Sequence, residues 1–87
     1  MILSEQLRAA RMLLDWNQEE LSVRAEVGIA TIRRIEAKPG PVSGNANTIW
    51  KLQRALEASG VVFIESDRTG GPGVRLVEPY SLKSPQS

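Results

Sequence analysis

The chain is 87 residues long and 41% apolar, with 11 basic and 10 acidic side chains. That bounds it to one small domain with a thin core, a size at which oligomerisation is a common source of extra stability. It has no Cys and no His, and a formal charge of only +1. Disulfides, zinc centres and Cys/His or Ser/His nucleophilic sites are therefore excluded, while the charge leaves any polyanionic partner to local distribution.

In chain order, Ser4 reads as the N-cap of a first helix running to about Leu14, with Leu3, Leu7, Ala10 and Leu14 as its buried stripe. Arg8 and Arg11 flank that stripe, Asp15 ends the helix, and Trp16 is expected to tuck into the core. Asn17 followed three residues later by Glu20 is a capping-box variant, which starts a second helix with Leu21 and Ala25 inward. This helix is short and stops near Ala25 or Glu26. Gly28 then caps a third helix, in which Ile32 and Ile35 point inward and which "KPGP" at 38–41 terminates.

After the loop "KPGPVSGN", Asn45 or Asn47 caps a fourth helix with Ile49, Leu52 and Leu56 as its stripe and Ala55 alongside. Gly60 suits the left-handed residue that closes it. Trp50 lies off the stripe, so it either fills a core edge or faces a partner. The period then changes. "VVFIE" and "GVRLV", separated by "SDRTGGP", predict a β-hairpin. A two-stranded hairpin is marginal alone, so it must pack on the helices or pair with another chain. The expected organisation is a helical domain over 1–60, a hairpin over 61–78 and a flexible tail over 79–87. No apolar run approaches the ~18 residues of a membrane span, and the N-terminus lacks a signal-peptide layout, so a cytoplasmic protein without membrane contact is expected.

The second and third helices, separated by about three residues, have the spacing of a DNA-binding helix-turn-helix. Gln18, Leu21, Ala25, Val27, Ile32 and Glu36, with the upstream "LRAARMLLDWNQEEL", resemble the Cro and lambda-repressor (XRE-like) family over residues 4–58. The resemblance implies a mainly α, four- to five-helix lambda-repressor-like domain with a short C-terminal hairpin. It implies a prokaryotic sequence-specific transcriptional regulator, by family habit a repressor, reading a palindromic operator in double-stranded DNA as a homodimer.

The family pattern gives roles to individual residues. Gln18 matches the position that holds a backbone phosphate at a helix N-terminus. Ile29, Ala30, Arg33 and Arg34 match the outward face of the recognition helix, which Gly28 caps. Arg34 is the expected base reader through guanine O6 and N7, and Arg33 and Lys38 are expected on phosphate. Thr31 serves either contact or caps the helix. Ile29 and Ala30 reach only thymine methyls. Arg11 and Glu36 match a partly buried ion pair joining the first and third helices. The sequence departs from the family at Glu26 and Asp15, where a left-handed backbone and Gly are usual.

One copy offers three to five phosphate contacts, from Arg8, Arg33, Arg34, Lys38 and Arg24, so a dimer is expected to restore affinity. Val61, Phe63, Val74 and Leu76 of the hairpin are its expected interface, with helix four as the other route. Two rival readings are an antitoxin whose tail (78–87) blocks a toxin, and a protein-interaction module that has lost DNA binding. Removing the tail separates the first, and a salt-titrated DNA-binding measurement separates the second. No enzyme, cofactor or metal site is expected. The carboxylates are not paired on one predicted face, and "GGPG" lacks the Lys of a phosphate loop.

Overall fold

The computed structural model describes residues 2–78. The tail over 79–87, with the toxin-blocking role considered for it, lies outside the described residues. In chain order the elements are α1 (Ser4–Leu13), α2 (Gln18–Ala25), α3 (Ile29–Ala37), α4 (Ala46–Ala58), β1 (Val61–Ile64) and β2 (Gly73–Leu76). The protein is thus mainly helical, four helices and a two-stranded antiparallel hairpin making up its described elements. Among the described residues no helix is long and apolar enough to cross a membrane.

Each helix supplies the centre of the core from its predicted stripe. Leu7 of α1, Leu21 of α2, Ile32 of α3 and both Leu52 and Leu56 of α4 are completely buried. Burial of one such side chain contributes roughly 1.5–3 kcal/mol. Ala10, Ala25, Val27, Ile35 and Val61 complete the cluster, and Trp16 packs against it from the side. Small residues at 10 and 25 allow the helices to approach closely.

α1 begins one residue earlier than expected, at the residue read as its cap. Ser4 is its first helical residue, and Leu3 takes the cap position with its N–H donating to Gln6 Oε1 at 2.9 Å. The Ser4 hydroxyl is drawn instead into the core, where it donates to the carbonyls of Ile35 and Glu36, both at 3.2 Å. At α2 only half of the capping box forms. Asn17 accepts from the Glu20 N–H at 2.8 Å, while the Glu20 carboxylate turns to Arg24 at 2.7 Å. Asn45, of the two candidates, caps α4 by accepting from the N–H groups of Asn47 and Thr48.

The loop after α3 is not wholly irregular. Leu3 forms a bridge with Pro41, and Ser4 N–H donates to Gly40 O while Val42 N–H donates to Ile2 O. This ties the end of α3 to the start of α1. The Glu5 carboxylate joins in by accepting from Gly40 N–H, and backbone donors, first its own and then that of Gly40, hold its pKa below the ordinary carboxylate value.

In the hairpin, Val61 pairs with Leu76, Val62 with Arg75, Phe63 with Val74 and Ile64 with Gly73. It rests on α1 and α4. The assignment of Val61, Phe63, Val74 and Leu76 to an apolar face shared with a second chain needs correction. Val61 is in the core and the other three pack against it, so their side chains serve the chain's own helices. Alternation along a strand puts all four on one face, and the helices already cover that face.

Candidate nucleic-acid interface

The turn between α2 and α3 is built by three local devices. Glu26 adopts a left-handed backbone (φ 58°, ψ 46°), which lets the chain leave α2 sharply. Ser22 O accepts from the Val27 N–H at 3.2 Å, and the Ser22 hydroxyl donates to Val27 O at 2.6 Å, so one residue of α2 grips the turn from both sides. Val27 is buried and anchors the turn to the core. Gly28 then opens α3 with an extended backbone and no side chain over the helix end. The first-turn amides of Ile29 and Ala30 have no partner inside the helix, and no acidic side chain sits in that turn.

Around α3, Ala30, Arg33, Arg34 and Ala37 are exposed and lie together on the side opposite Ile32. The two alanines form a low strip along the helix, with Arg33 on one flank and Arg34 on the other. Lys38 follows at the C-terminal end, also exposed. Such a surface admits close approach of a partner's wall and offers cations on both sides of the contact. Arg34 stands at the rim of a cleft of about 260 Å³ that it shares with Ile35, Lys38, Pro41, Val42 and Ser43. Its stem therefore runs along protein rather than through open solvent.

The buried end of α3 is fixed by a polar node centred on Glu36, whose side chain is 3% exposed. Arg11 grips its carboxylate with two bonds, Nη2 to Oε1 at 2.8 Å and Nε to Oε2 at 3.0 Å. Gln18 Nε2 donates to the same Oε1 at 2.9 Å. The Glu36 carbonyl accepts from Arg8 Nη1 at 2.7 Å, and Arg8 also reaches the Ser4 hydroxyl. Three elements, α1, α2 and α3, thus meet at one side chain and its carbonyl. Arg11 also closes the α1–α2 corner by donating to Trp16 O at 3.0 Å, beside Asp15 with its φ of 58°.

The chain matches no protein-family model and no curated protein. Its site residues are therefore weighed on geometry alone. Ala30, Arg33, Arg34 and Lys38 stand together on the exposed surface, and Gly28 stands exposed at its N-terminal end. Ile29 and Thr31 do not belong to the outward strip; both are half-buried on the flanks of α3. The Gln18 side chain is turned to Glu36 rather than left free, though its backbone still begins α2. Arg8 is occupied by Ser4 and Glu36, and Arg24 by Glu20 and by the ring of Trp16, 4.8 Å away. Three unencumbered cations remain on this face: Arg33, Arg34 and Lys38.

Charge segregation was readable in the sequence but overlooked. Residues 24–54 contain six basic side chains (Arg24, Arg33, Arg34, Lys38, Lys51 and Arg54) and two acidic ones (Glu26 and Glu36). Glu36 is neutralised by Arg11, so this stretch is strongly cationic while the remainder of the chain is net acidic. Trp50 lies in the same stretch of sequence, at a cleft between α2 and α4 with Arg24, Lys51 and Arg54. It is 57% exposed, with the Arg54 guanidinium 5.2 Å from its ring centre, and so does not fill a core edge.

Proposed function

We propose that this protein is a sequence-specific DNA-binding transcriptional regulator of the Cro and lambda-repressor type. It acts as a repressor and binds a palindromic operator as a dimer, with α3 in the major groove. The observation that carries this reading is the exposed strip of α3. Its N-terminal amides are free, Arg33 and Arg34 flank two alanines, and the hairpin packs on α1 and α4 instead of covering it. In this reading α2 braces across the phosphate backbone, Arg34 reads a base edge, and Arg33 and Lys38 neutralise phosphates. Three free cations per copy give weak binding, and a two-fold pair doubles the number. With Arg33 and Lys38 on phosphate in each copy, the expected slope of log K against log[salt] is then about −3.6, from ~0.9 per neutralised phosphate and roughly four phosphates.

Selection of bound sites from random DNA duplexes tests the reading. An enriched palindrome with half-sites about one helical turn apart, roughly 10 base pairs, is the expected result. Failure to enrich any sequence, together with no salt-dependent duplex binding, would remove the function. That outcome would instead favour the protein-interaction module.

A further inference from the structure

We propose that the cleft between α2 and α4 binds single-stranded nucleic acid, a base stacking on Trp50 and phosphates reaching Arg24, Lys51 and Arg54. No residue of α3 lines this cleft, so the site is separate from the recognition strip and independent of the duplex-binding reading.

Packing does not account for Trp50. It stands on α4 with 57% of its surface exposed, while Leu52 and Leu56 of the same helix are completely buried in the core. A tryptophan left outside forfeits most of the stabilisation that its large area offers on burial. The ring is nevertheless held in place. Arg54, one turn further along α4, lays its guanidinium 5.2 Å from the ring centre. Across the cleft Arg24 is fixed in a similar way, 4.8 Å from the ring centre of Trp16 and bonded to Glu20 at 2.7 Å. Both tryptophans of the chain thus carry an arginine, and Arg24 links the two pairs because it also lines the cleft with Trp50.

The remaining lining sets the charge and the relief. Ala25 and Ala55 add only small side chains, and Lys51 adds a third cation. Among the described residues Lys51 and Arg54 have no acidic partner, and the nearby Glu57 bonds to Gln53 instead. Glu20 offsets Arg24 and holds it against Trp16, so the cleft keeps a net positive charge. Its occupant is therefore an anion, and one with a flat apolar part to cover the ring.

Three anions compete for that description, and the shape of the cleft selects one. Nucleobases stack on aromatic rings and on the planes of guanidinium groups, and both surfaces are present here. An intact duplex keeps its bases stacked on each other, so a ring that needs a free base face selects single strands. An acidic protein segment matches the cations, but the small alanines give its apolar side chains no pocket to enter. A free nucleotide needs enclosure. The cleft holds about 250 Å³ and is open to solvent, below the ~300–1,000 Å³ usual for small-molecule sites. A strand lying across the two helices suits it better, because its neighbouring nucleotides place phosphates on cations at either side of the ring.

Fluorescence anisotropy of a labelled oligothymidylate, about twelve nucleotides long, tests the site on the full chain at low salt. Binding at about 1–100 µM is expected, with quenching of tryptophan emission. Trp50→Leu should weaken it at least about fivefold, and Trp50→Phe less than about twofold, because a phenyl ring still stacks. Circular dichroism should be unchanged in both, since the position is exposed. The double substitution Arg33→Ala/Arg34→Ala should weaken duplex binding and leave the oligothymidylate within about twofold. No binding at ~100 µM overturns the proposal, and so does a Trp50→Leu variant that binds as the unaltered chain does. Two competitors check the occupant. Thymidine monophosphate displacing the strand as well as unlabelled oligothymidylate does would replace the strand with a free nucleotide. Oligoglutamate of the same length doing so would replace it with an acidic protein segment. Duplex binding is measured on its own, so either reading can fail while the other survives.

Discussion

Replacing Arg11 with Met should be among the most damaging single changes outside the apolar core. It removes two of the three hydrogen bonds to a carboxylate that is 3% exposed, and it leaves Gln18 as the remaining donor. Breaking a buried ion pair from one side costs about 3–5 kcal/mol, because the orphaned charge stays desolvated. Arg11 is itself 14% exposed, so water can reach the vacated space and the lower end applies. The lost bond to Trp16 O adds about 1 kcal/mol, giving ~3–4 in all. A chain of this length has roughly 4–13 kcal/mol of total stability. The variant should thus be close to unfolding, with a urea midpoint that Trp16 fluorescence reports at unchanged m. The double variant Arg11→Met/Glu36→Met removes both charges and should recover at least half of the loss. A single variant costing under ~1 kcal/mol, or a double variant no more stable than the single, would refute the view that Glu36 depends on Arg11.

Three further outcomes follow from named contacts. Arg34→Ala should relax preference at one base position by about 1–3 kcal/mol, whereas Arg33→Ala should weaken all duplexes alike and reduce the salt slope by about 1 per copy; an unchanged selected site would strip Arg34 of its role. Glu26→Gly removes a side chain from a left-handed position and should stabilise by about 1 kcal/mol, a rise in Tm of roughly 4–8 °C, measurable by thermal circular dichroism. At the hairpin tip, Asp67 accepts from the Thr69 hydroxyl and from the N–H groups of Thr69 and Gly70, and these bonds, the hydroxyl's first, hold its pKa below the ordinary value. A depressed acid stabilises its turn above the unfolded value and loses that contribution as pH falls through the folded one. The Thr69 and Gly70 amide resonances should accordingly shift only below about pH 4 and stay constant from pH 5 to 8.

The helices were legible because their inner positions repeat at helical spacing and their ends carry strong signals, as at Asn17, Asn45 and Gly60. The hairpin was legible from its change to β-branched residues at period two. Less visible were contacts between residues far apart in sequence. Nothing local marks Ser4 as a donor to carbonyls 31 and 32 residues away, and by local rules it reads as a cap. Gln18 likewise reads as a free first-turn residue, because only the folded corner brings Glu36 to it. Alternation in the hairpin defined two faces without showing which one the helices cover, and so the four inward residues were assigned to a partner.

These long-range contacts also explain why α3 points where it does. Every polar clamp on that helix acts at its C-terminal half: the Ser4 hydroxyl on the carbonyls of Ile35 and Glu36, Arg8 on the Glu36 carbonyl, Arg11 and Gln18 on the Glu36 carboxylate. The N-terminal half is held by apolar packing of Ile32 and by the Ser22–Val27 turn alone. A helix fastened at one end presents the other, with its amides free and no side chain on Gly28 to obstruct them. The same fastening consumes Arg8, so in the proposed DNA-binding reading the rigidity of α3 is gained at the expense of a phosphate contact. A single copy is left with three free cations on this face, and pairing of two copies is the direct way to recover what the clamp removes.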